Sequence, residues 1–440
     1  MTLDTIVAPA TPPGYGGVSI VRISGSDALN IGRSISGKTL LKNRYTTLAN
    51  LLDEKNLTID SVLLTYFKGP GSYTGEDIIE ISCHGNPIIV DRIISVVLSR
   101  GARLANPGEF TMRAFLNGKL DLVQAESVGS LIGSRSKRAT ELSNKILSGA
   151  LSNKLLKIKD NLIGSLSFLE FEFDISEDTL INKNTLKGLN NDLKNNIIAC
   201  NELLSTYAEG ALYNNGARVV ICGEPNVGKS TLLNALVDKD RAITSDVPGT
   251  TRDSIESNIL LSGIPVVLID TAGIRTSVDD VESSGIKRTI NEIKKANLII
   301  NLFSGDTQPV EYTDDSDRSL FVFNKNDVFK NNRHDIGAIS ISALNKTGIE
   351  KLKTEIFNKL VENNSSTSDI ILTTRRQYNS IKQCKESLES GLSILCFAEP
   401  ELELVAFELR DSINHIDTLL GKTSVDDILN RVFSSFCVGK

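Results

Sequence analysis

The sequence has no run of about 18 apolar residues, and its first residues, Met-Thr-Leu-Asp-Thr, lack a basic segment. Neither a membrane-spanning helix nor a secretory signal peptide is therefore expected. The six cysteines form no C-x-x-C pair and have no metal-ligand spacing, which suits a reducing compartment and predicts a cytoplasmic protein. The formal net charge of −6 argues against a generally basic nucleic-acid coat, but it leaves room for RNA contact through a local patch or a partner protein.

What the chain does have is length. Its 440 residues exceed what one hydrophobic core usually serves, so two or three domains are expected. With 40% hydrophobic and 23% charged residues, its composition is ordinary for a globular protein in water.

The most informative segment is residues 223–230, Gly-Glu-Pro-Asn-Val-Gly-Lys-Ser, which match G-x-x-x-x-G-K-[ST]. An apolar run precedes it and a helix start follows it, which is the strand–loop–helix context that this phosphate-binding loop requires. Successive backbone N–H groups can surround a phosphate, the lysine can reach the β and γ oxygens, and the serine hydroxyl can hold Mg²⁺. The motif predicts nucleotide contacts from Asn226, Val227, Gly228, Lys229, Ser230 and Thr231.

Three further motifs follow in chain order, each directly after an apolar run that reads as a strand. The first places the carboxylate of Asp270 at a strand end, facing the metal, and continues with Thr271, Ala272 and Gly273. The second contains Asp327, whose carboxylate can accept hydrogen bonds from N1 and N2 of guanine; adenine cannot satisfy it in the same way. Its other contributors are Asn324 and Lys325. The third, Ser342-Ala343, can address the base through its backbone. The four motifs together predict a guanine-nucleotide switch.

The distribution of glycine, proline and helical periodicity divides the chain. Residues 1–118 alternate short strand-like runs (Val18–Ile23, Val62–Phe67, Ile78–Ser82) with turns, and a helix is expected over Ile88–Arg100, so this part reads as an α+β module. Residues 119–215 are predicted to be helical, as are residues 363–440 after a polar linker. Residues 216–362 form the predicted Ras-like G domain, an α/β domain with a mainly parallel sheet. Helices on both sides of it predict an inserted domain whose two ends are neighbours.

Helical periodicity predicts individual helices within these parts. The expected ranges are Gln124–Leu151, Leu155–Phe173, Leu189–Glu209 and Gln377–Val432.

The segments outside the G domain resemble those of the tRNA-modification GTPase family called MnmE, also TrmE. The resemblance covers essentially the whole chain in the order of the family. It is carried by four blocks that other GTPases lack: Asp4–Gly14 with Arg22–Gly25; Tyr73–Asp77 with Cys83-His84-Gly85; Asn106–Lys119; and the ending Phe436-Cys437-Val438-Gly439-Lys440.

The resemblance implies an N-terminal folate-binding domain that also forms the homodimer, a helical domain and an inserted Ras-like G domain. It implies a heterotetrameric complex with the flavoprotein MnmG, also GidA. Together the two proteins would install a carboxymethylaminomethyl or aminomethyl group on the 5-carbon of the wobble uridine of certain tRNAs. A tetrahydrofolate derivative, 5-formyl or methylene, would supply the one-carbon unit. GTP hydrolysis in this family needs Mg²⁺ and is activated by K⁺.

The resemblance also implies how hydrolysis is catalysed. Ras-like enzymes often place a water-orienting glutamine directly after Asp-x-x-Gly, but here that residue is the apolar Ile274. The family uses K⁺ to stabilise transition-state charge, and the matching ligands are Asn226, Ser245, Val247 and Thr250. Asn226 could instead serve only the turn. The loop of Ser245, Asp246, Val247, Pro248, Gly249 and Thr250 is also expected to contact GTP, and Thr251 is expected to ligate Mg²⁺ with Ser230.

Catalytic roles are expected for Asn226, Lys229 and Glu282. By family match Glu282 would hold the attacking water, although a glutamate is more commonly a solvated surface carboxylate. The family match points to Arg22, Glu80, Lys119 and Lys440 as folate-binding residues. Cys437 is a possible reactive thiol, and a packing role for it is equally open.

Two other functions compete with this one. A ribosome-assembly type GTPase would bind rRNA without folate, but its basic RNA-binding appendage is not visible in the sequence. A folate-dependent transfer enzyme would use the G domain only for regulation. The sequence leaves open whether this chain or its flavoprotein partner transfers the carbon.

Overall fold

A computed structural model describes residues 4–175, 183–237, 256–271, 290–305, 307–313, 315–329, 337–361, 370–397, 399–423, 429, 432–434, 436, 437 and 439. The chain divides into two compact units. One consists of Met1–Gly129, Ile146–Asn153 and Ile416–Lys440, and the other of Ser130–Lys145 and Lys154–His415. Within the described ranges, no helix combines the length and the apolar character needed to cross a bilayer.

The first unit contains a six-stranded sheet in the order β3-β4-β5-β2-β1-β6. The β3–β4, β4–β5, β5–β2 and β2–β1 pairs are antiparallel, and β1–β6 is parallel. The strands are β1 Ile6–Pro9, β2 Gly16–Ser24, β3 Thr46–Leu52, β4 Thr58–Phe67, β5 Ile78–Gly85 and β6 Arg103–Leu104. The helices are α1 Ala28–Ser36, α2 Pro87–Ser99 and α3 Glu109–Leu116. The predicted α+β module is confirmed, with the three expected strands and the expected helix all in place.

The two faces of this sheet differ because side chains alternate along each strand. On β5, Ile79, Ile81 and Cys83 are buried in the core that α1 and α2 cover, whereas Glu80 and His84 lie on the other face. Arg22 on β2 is paired with Glu80 in the sheet register, so it shares that face. The register therefore brings two charged residues together that are 58 positions apart in sequence.

A buried ionic cluster fixes α3 beside the sheet. Arg113 is fully buried and its guanidinium donates to Glu109 and Glu76, while Arg103 donates to both carboxylate oxygens of Glu109. Burial alone would raise the pKa of Glu109, but hydrogen bonds from Arg103, the Asn106 N–H and Arg113 outweigh it and lower the pKa. Removing one partner from such a cluster leaves an uncompensated buried charge, which typically costs about 3–5 kcal/mol.

Helices dominate the segments on both sides of the G domain. Before it lie α4 Leu122–Gly133, α5 Lys137–Leu147, α6 Ala150–Ile175, α7 Lys183–Ser205 and α8 Tyr207–Asn215. The prediction of a single helix over Gln124–Leu151 was wrong, because two local signals divide this range into separate helices. The Ser136 hydroxyl accepts a hydrogen bond from the Ala139 N–H and so caps the start of α5. Gly149 has a left-handed φ of 90°, which ends the helical conformation between α5 and α6.

The second predicted helical part is also divided. The range Gln377–Val432 was expected to be helical throughout, but the structure has separate helices at Arg375–Ile394 and Leu402–Leu420, with Pro400 between them. Thr374 starts the first of these with a capping box to Gln377.

The G domain has a second six-stranded sheet, in the order β12-β11-β10-β7-β9-β8. All neighbouring pairs in it are parallel except β8–β9. Its strands are β7 Ala217–Cys222, β8 Glu256–Leu261, β9 Ile264–Asp270, β10 Leu298–Phe303, β11 Ser319–Phe323 and β12 Ile339–Ser340. Helices α9 Lys229–Leu236 and α10 Ile349–Val361 belong to the same domain; the helices of the C-terminal part are α11 Arg375–Ile394 and α12 Leu402–Leu420. The prediction of a mainly parallel sheet is confirmed.

The segments that enter and leave the G domain pack closely against each other, around Thr206 and Leu372. The Leu372 N–H donates to Thr206 Oγ1 at 3.0 Å, and the rings of Tyr207 and Tyr378 lie 4.7 Å apart. Gly210 packs so closely on the Leu372 backbone that a β-carbon there would overlap the Leu372 carbonyl oxygen. The chain therefore leaves the helices after α8 and returns beside α8, as an inserted domain requires.

Candidate functional site

The phosphate-binding loop turns sharply between β7 and α9. Gly228, immediately before α9, has a left-handed φ of 96°, and Asn226 has a φ of 65°, which asparagine tolerates better than most residues. This conformation presents the amino end of α9 at the carboxyl end of β7. Because the first N–H groups of a helix have no partner within it, such an end attracts phosphate.

Two polar side chains of the loop lie where a phosphate and a metal would be held. Lys229 is only 7% exposed, and its Nζ donates to the carbonyl oxygens of Gly223 at 2.9 Å and Glu224 at 2.8 Å. Ser230 Oγ donates to Asp270 Oδ2 at 2.6 Å. The predicted metal-binding hydroxyl therefore meets the carboxylate at the end of β9. Oxygen ligands of this kind suit Mg²⁺, which also keeps water and phosphate oxygens.

Asn324 connects three of the four motifs. Its Nδ2 donates to the Val227 carbonyl oxygen at 2.8 Å, and its Oδ1 accepts from the Ala343 N–H at 2.9 Å. The residue is 2% exposed, and its own N–H donates to the Phe303 carbonyl oxygen at the end of β10. A β-carbon at Gly228 would lie 2.5 Å from Asn324 Nδ2, so only glycine fits beside it. We call the three-way contact of Asn324, Val227 and Ala343 the asparagine clamp.

The remaining predicted nucleotide residues divide into two groups. Thr231, Thr271, Lys325, Asp327 and Ser342 lie near the carboxyl edge of the sheet, at the ends of β7, β9, β11 and β12, and Asp327 is exposed there. The others lie outside the described residues: Ser245, Asp246, Val247, Pro248, Gly249, Thr250, Thr251, Ala272, Gly273 and Glu282.

A second cluster of predicted residues lies on the face of the first sheet opposite α1 and α2, which we call the outer face. Arg22 donates from Nε at 2.9 Å and from Nη2 at 2.7 Å, both to Glu80 Oε1. Its Nη1 lies 3.5 Å from the carbonyl oxygen of Gly439, which is 417 positions later in the chain. Gly439 is packed tightly, with a φ of 98°, and a β-carbon there would overlap the Pro9 carbonyl oxygen. The last described residue is thus held against β1 and Arg22.

Two aromatic residues that were not predicted from the sequence complete this cluster. The Arg22 guanidinium carbon lies 5.6 Å from the ring centroid of Tyr73 and 5.7 Å from that of Phe110. Both aromatics lie inside the sequence blocks that carry the family resemblance. Their position within those blocks was the available signal, because an isolated aromatic residue reads as core.

Lys119 and Cys437 each contact the backbone of a segment that contributes an aromatic ring to this cluster. Lys119 Nζ donates to the Pro70 carbonyl oxygen at 3.0 Å, in the loop that also carries Tyr73. The Cys437 side chain is exposed, and its carbonyl oxygen lies 3.5 Å from the Gly108 nitrogen that donates to it. Lys440 lies outside the described residues.

Comparison with known proteins covers nearly the whole chain. Residues 5–119 match a family model described as the N-terminus of the GTP-binding protein TrmE, and residues 122–437 match one described as the MnmE helical domain. A curated relative from Pseudothermotoga lettingae named tRNA modification GTPase MnmE is 39% identical, covering 99% of this chain and 100% of its own. One of the same name from Francisella philomiragia is also 39% identical, covering 100% of both.

Among solved structures, the G domain of FeoB from Methanococcus jannaschii is similar at 23% identity. The match covers 33% of this chain and 97% of that one, with a TM-score of 0.24.

The asparagine clamp leads to a testable expectation. Asn324→Ala should weaken GTP and GDP binding by at least about tenfold, because it leaves the buried Val227 carbonyl and Ala343 N–H unpaired, each at about 1–3 kcal/mol. Fluorescent-nucleotide titration measures both affinities.

Asn326→Ala is the matched control, since it removes the same side chain two positions away without touching the clamp, and it should bind nearly as the wild type does. Equal affinities for the two variants would show that the clamp does not organise the site.

Proposed function

This chain belongs to the MnmE family of tRNA modification GTPases and is a GTP-hydrolysing enzyme, and from that premise we propose that it drives modification of the wobble uridine in certain tRNAs. The observation that carries the nucleotide part is the asparagine clamp, which joins the phosphate-binding loop to Ala343. The modification would be a 5-carboxymethylaminomethyl or aminomethyl group, made together with the flavoprotein MnmG.

The G domain would bind GTP in the following way. Gly228 and its neighbours surround the phosphates with N–H groups, and Lys229 exchanges its contacts with the loop carbonyls for phosphate oxygens. Ser230 and Thr251 would hold Mg²⁺, which would offset the negative charge of the phosphates, and Asp270 would keep the hydrogen bond that it accepts from Ser230. Asp327 accepts from the guanine N1 and N2 groups.

Catalysis would use a monovalent cation in place of an arginine finger. We assign Asn226, Ser245, Val247 and Thr250 as K⁺ ligands, because carbonyl and amide oxygens suit such an ion and Ile274 cannot hold a water. The cation would offset negative charge that develops between the β and γ phosphates. Glu282 would orient the attacking water.

GTP turnover is therefore expected to depend on potassium. Steady-state hydrolysis in matched KCl and NaCl buffers should be at least about tenfold faster in KCl, because K⁺ gives up its hydration water to protein oxygen ligands more readily than Na⁺ does. Equal rates in the two salts would remove K⁺ from the mechanism.

A variant separates the cation from the water. Glu282→Ala should keep GTP affinity close to that of the wild type while kcat falls, since the carboxylate would act on the water and not on bound nucleotide. Lost binding with unchanged turnover would contradict this role for Glu282.

The first unit would bind the tetrahydrofolate derivative, with GTP and the folate serving separate units. Glu80 would accept from the 2-amino and N3 groups of the pterin, with Arg22, Lys119 and Lys440 as further contacts. The support is the contact of Arg22 with both Glu80 and Gly439, the covalent neighbour of Lys440. Cys437 would serve either as a reactive thiol or in packing.

Homodimer formation is proposed through the same outer face of the first sheet. Leu48 on β3 and Leu63 on β4 are cross-strand neighbours there, and they are 65% and 46% exposed. Large apolar side chains exposed side by side commonly mark an association surface. Sedimentation equilibrium tests this directly, and a monomer mass at micromolar concentration would contradict it.

The proposed function is tested by nucleoside analysis of tRNA. Cells lacking this protein should lose the modified wobble uridine, and the wild-type gene should restore it. A gene lacking Cys437–Lys440 should fail to restore it, because the truncation removes the tail at Arg22, while the truncated protein should still hydrolyse GTP.

Persistence of the modified uridine in the deletion strain would contradict the proposed role in wobble-uridine modification. A defect in ribosome assembly in that strain would favour an rRNA-binding switch instead. Full restoration by the truncated gene would leave the overall function standing and remove the tail from it.

A further inference from the structure

The guanidinium of Arg22 lies over two aromatic rings, those of Tyr73 and Phe110. Tyr73 comes from the loop between β4 and β5, and Phe110 comes from α3, so the two rings reach Arg22 from different elements. The Arg22 side chain is only 15% exposed. A cation over a ring face gains about 0.5–1 kcal/mol when exposed and about 2 kcal/mol when desolvated, so each ring contributes to holding the guanidinium.

Both rings are held by contacts of their own. The Tyr73 hydroxyl is within hydrogen-bond distance of Thr111 Oγ1, at 2.8 Å, and burial raises the pKa of the phenol. Phe110 is fully buried against Ile6 and Ala8 of β1 and Ala105. The two rings therefore form a fixed bracket, which we call the aromatic bracket, and both rings contact the Arg22 guanidinium.

The orientation of Arg22 determines the orientation of Glu80. Nε and Nη2 both donate to Oε1, which turns that oxygen toward the guanidinium and leaves Oε2 without either bond. An arginine held in one plane therefore keeps the carboxylate in one rotation. A ligand with neighbouring N–H donors would meet a carboxylate that is already aligned, and would lose less conformational entropy on binding.

We propose that Tyr73 and Phe110 are positioning residues that act through Arg22 to align Glu80 for the N–H edge of a pterin-like ring. This inference rests on the proposed folate site and adds two residues to it. A purely structural role for the rings would stabilise the unit without affecting ligand affinity through Arg22.

The test compares two substitutions at one position. Tyr73→Phe keeps the ring and removes only the hydroxyl, whereas Tyr73→Leu keeps apolar volume and removes the ring face. Titration calorimetry of the full chain with 5-formyl-tetrahydrofolate should give a Kd within about twofold of the wild type for Tyr73→Phe. Tyr73→Leu should bind about tenfold more weakly, which corresponds to about 1.4 kcal/mol. Phe110→Leu provides a second ring deletion should Tyr73→Leu fold poorly.

A double-mutant cycle distinguishes positioning from packing. In an Arg22→Lys background the flat guanidinium is absent, so Tyr73→Leu should cost less than about twofold in folate affinity. GTP hydrolysis and the thermal midpoint of each variant report whether the chain is intact.

The outcomes separate the positioning role of the rings from the folate site itself. Wild-type binding with an equal loss for Tyr73→Leu in both backgrounds would overturn the positioning role and leave the folate site standing. An unchanged Kd for both ring deletions would do the same. No binding of the folate by the wild type would overturn the folate site, and this inference with it.

Discussion

The hydrogen bond from the Leu372 N–H to Thr206 Oγ1 closes the chain around the whole G domain. Everything between α8 and residue 371 is, in effect, one very long loop whose ends are held together there. The entropic cost of closing a loop rises only with the logarithm of its length, by about 0.6 kcal/mol for each doubling. Compared with a turn of about five residues, this segment costs about 3 kcal/mol more to close, which a domain with its own core can offset. Gly210 permits the backbones to approach closely enough.

In each candidate site, one side chain joins two segments that are distant in sequence, but the two side chains differ in charge. In the G domain, the neutral amide of Asn324 is buried and donates to one segment while it accepts from another. In the first unit, the charged guanidinium of Arg22 connects Glu80 to Gly439 and keeps part of its surface against aromatic rings. A neutral amide can donate and accept at the same time, so it joins two backbone segments without bringing a charge that needs a partner. A cation paired with a carboxylate suits a site that presents a fixed negative acceptor.

Sequence alone was sufficient where a motif is local. The turn around Gly228, the position of Asp270 at the end of β9 and that of Asn324 after β11 follow from short patterns next to apolar runs, and the parallel sheet brings them to one edge. The sequence was insufficient where contacts depend on register or on a turn. Nothing local says that Arg22 pairs with Glu80, since a one-residue slip of β2 would turn it to the other face.

The same limit explains why Tyr73 was not predicted and why the helix over Gln124–Leu151 was predicted wrongly. Tyr73 reaches Arg22 only because of how its loop folds, so periodicity could not select it. The expected helix over Gln124–Leu151 had the right composition, but a serine cap at Ser136 and a left-handed Gly149 outweighed the periodicity. Such local signals compete with patterns averaged over many residues.

The contact of Arg22 with Gly439 also determines the order in which parts of the nascent chain can assemble during translation. The two residues are 417 positions apart, which at about 5–20 residues per second corresponds to roughly 20–80 s of synthesis. The strands that carry Arg22 and Glu80 emerge early, and the G domain can assemble next from contiguous sequence. The outer face of the first sheet, by contrast, stays incomplete until residue 439 has been synthesised. A ribosome that stalls between the G domain and residue 439 would thus release a chain with an intact nucleotide domain and an open N-terminal site.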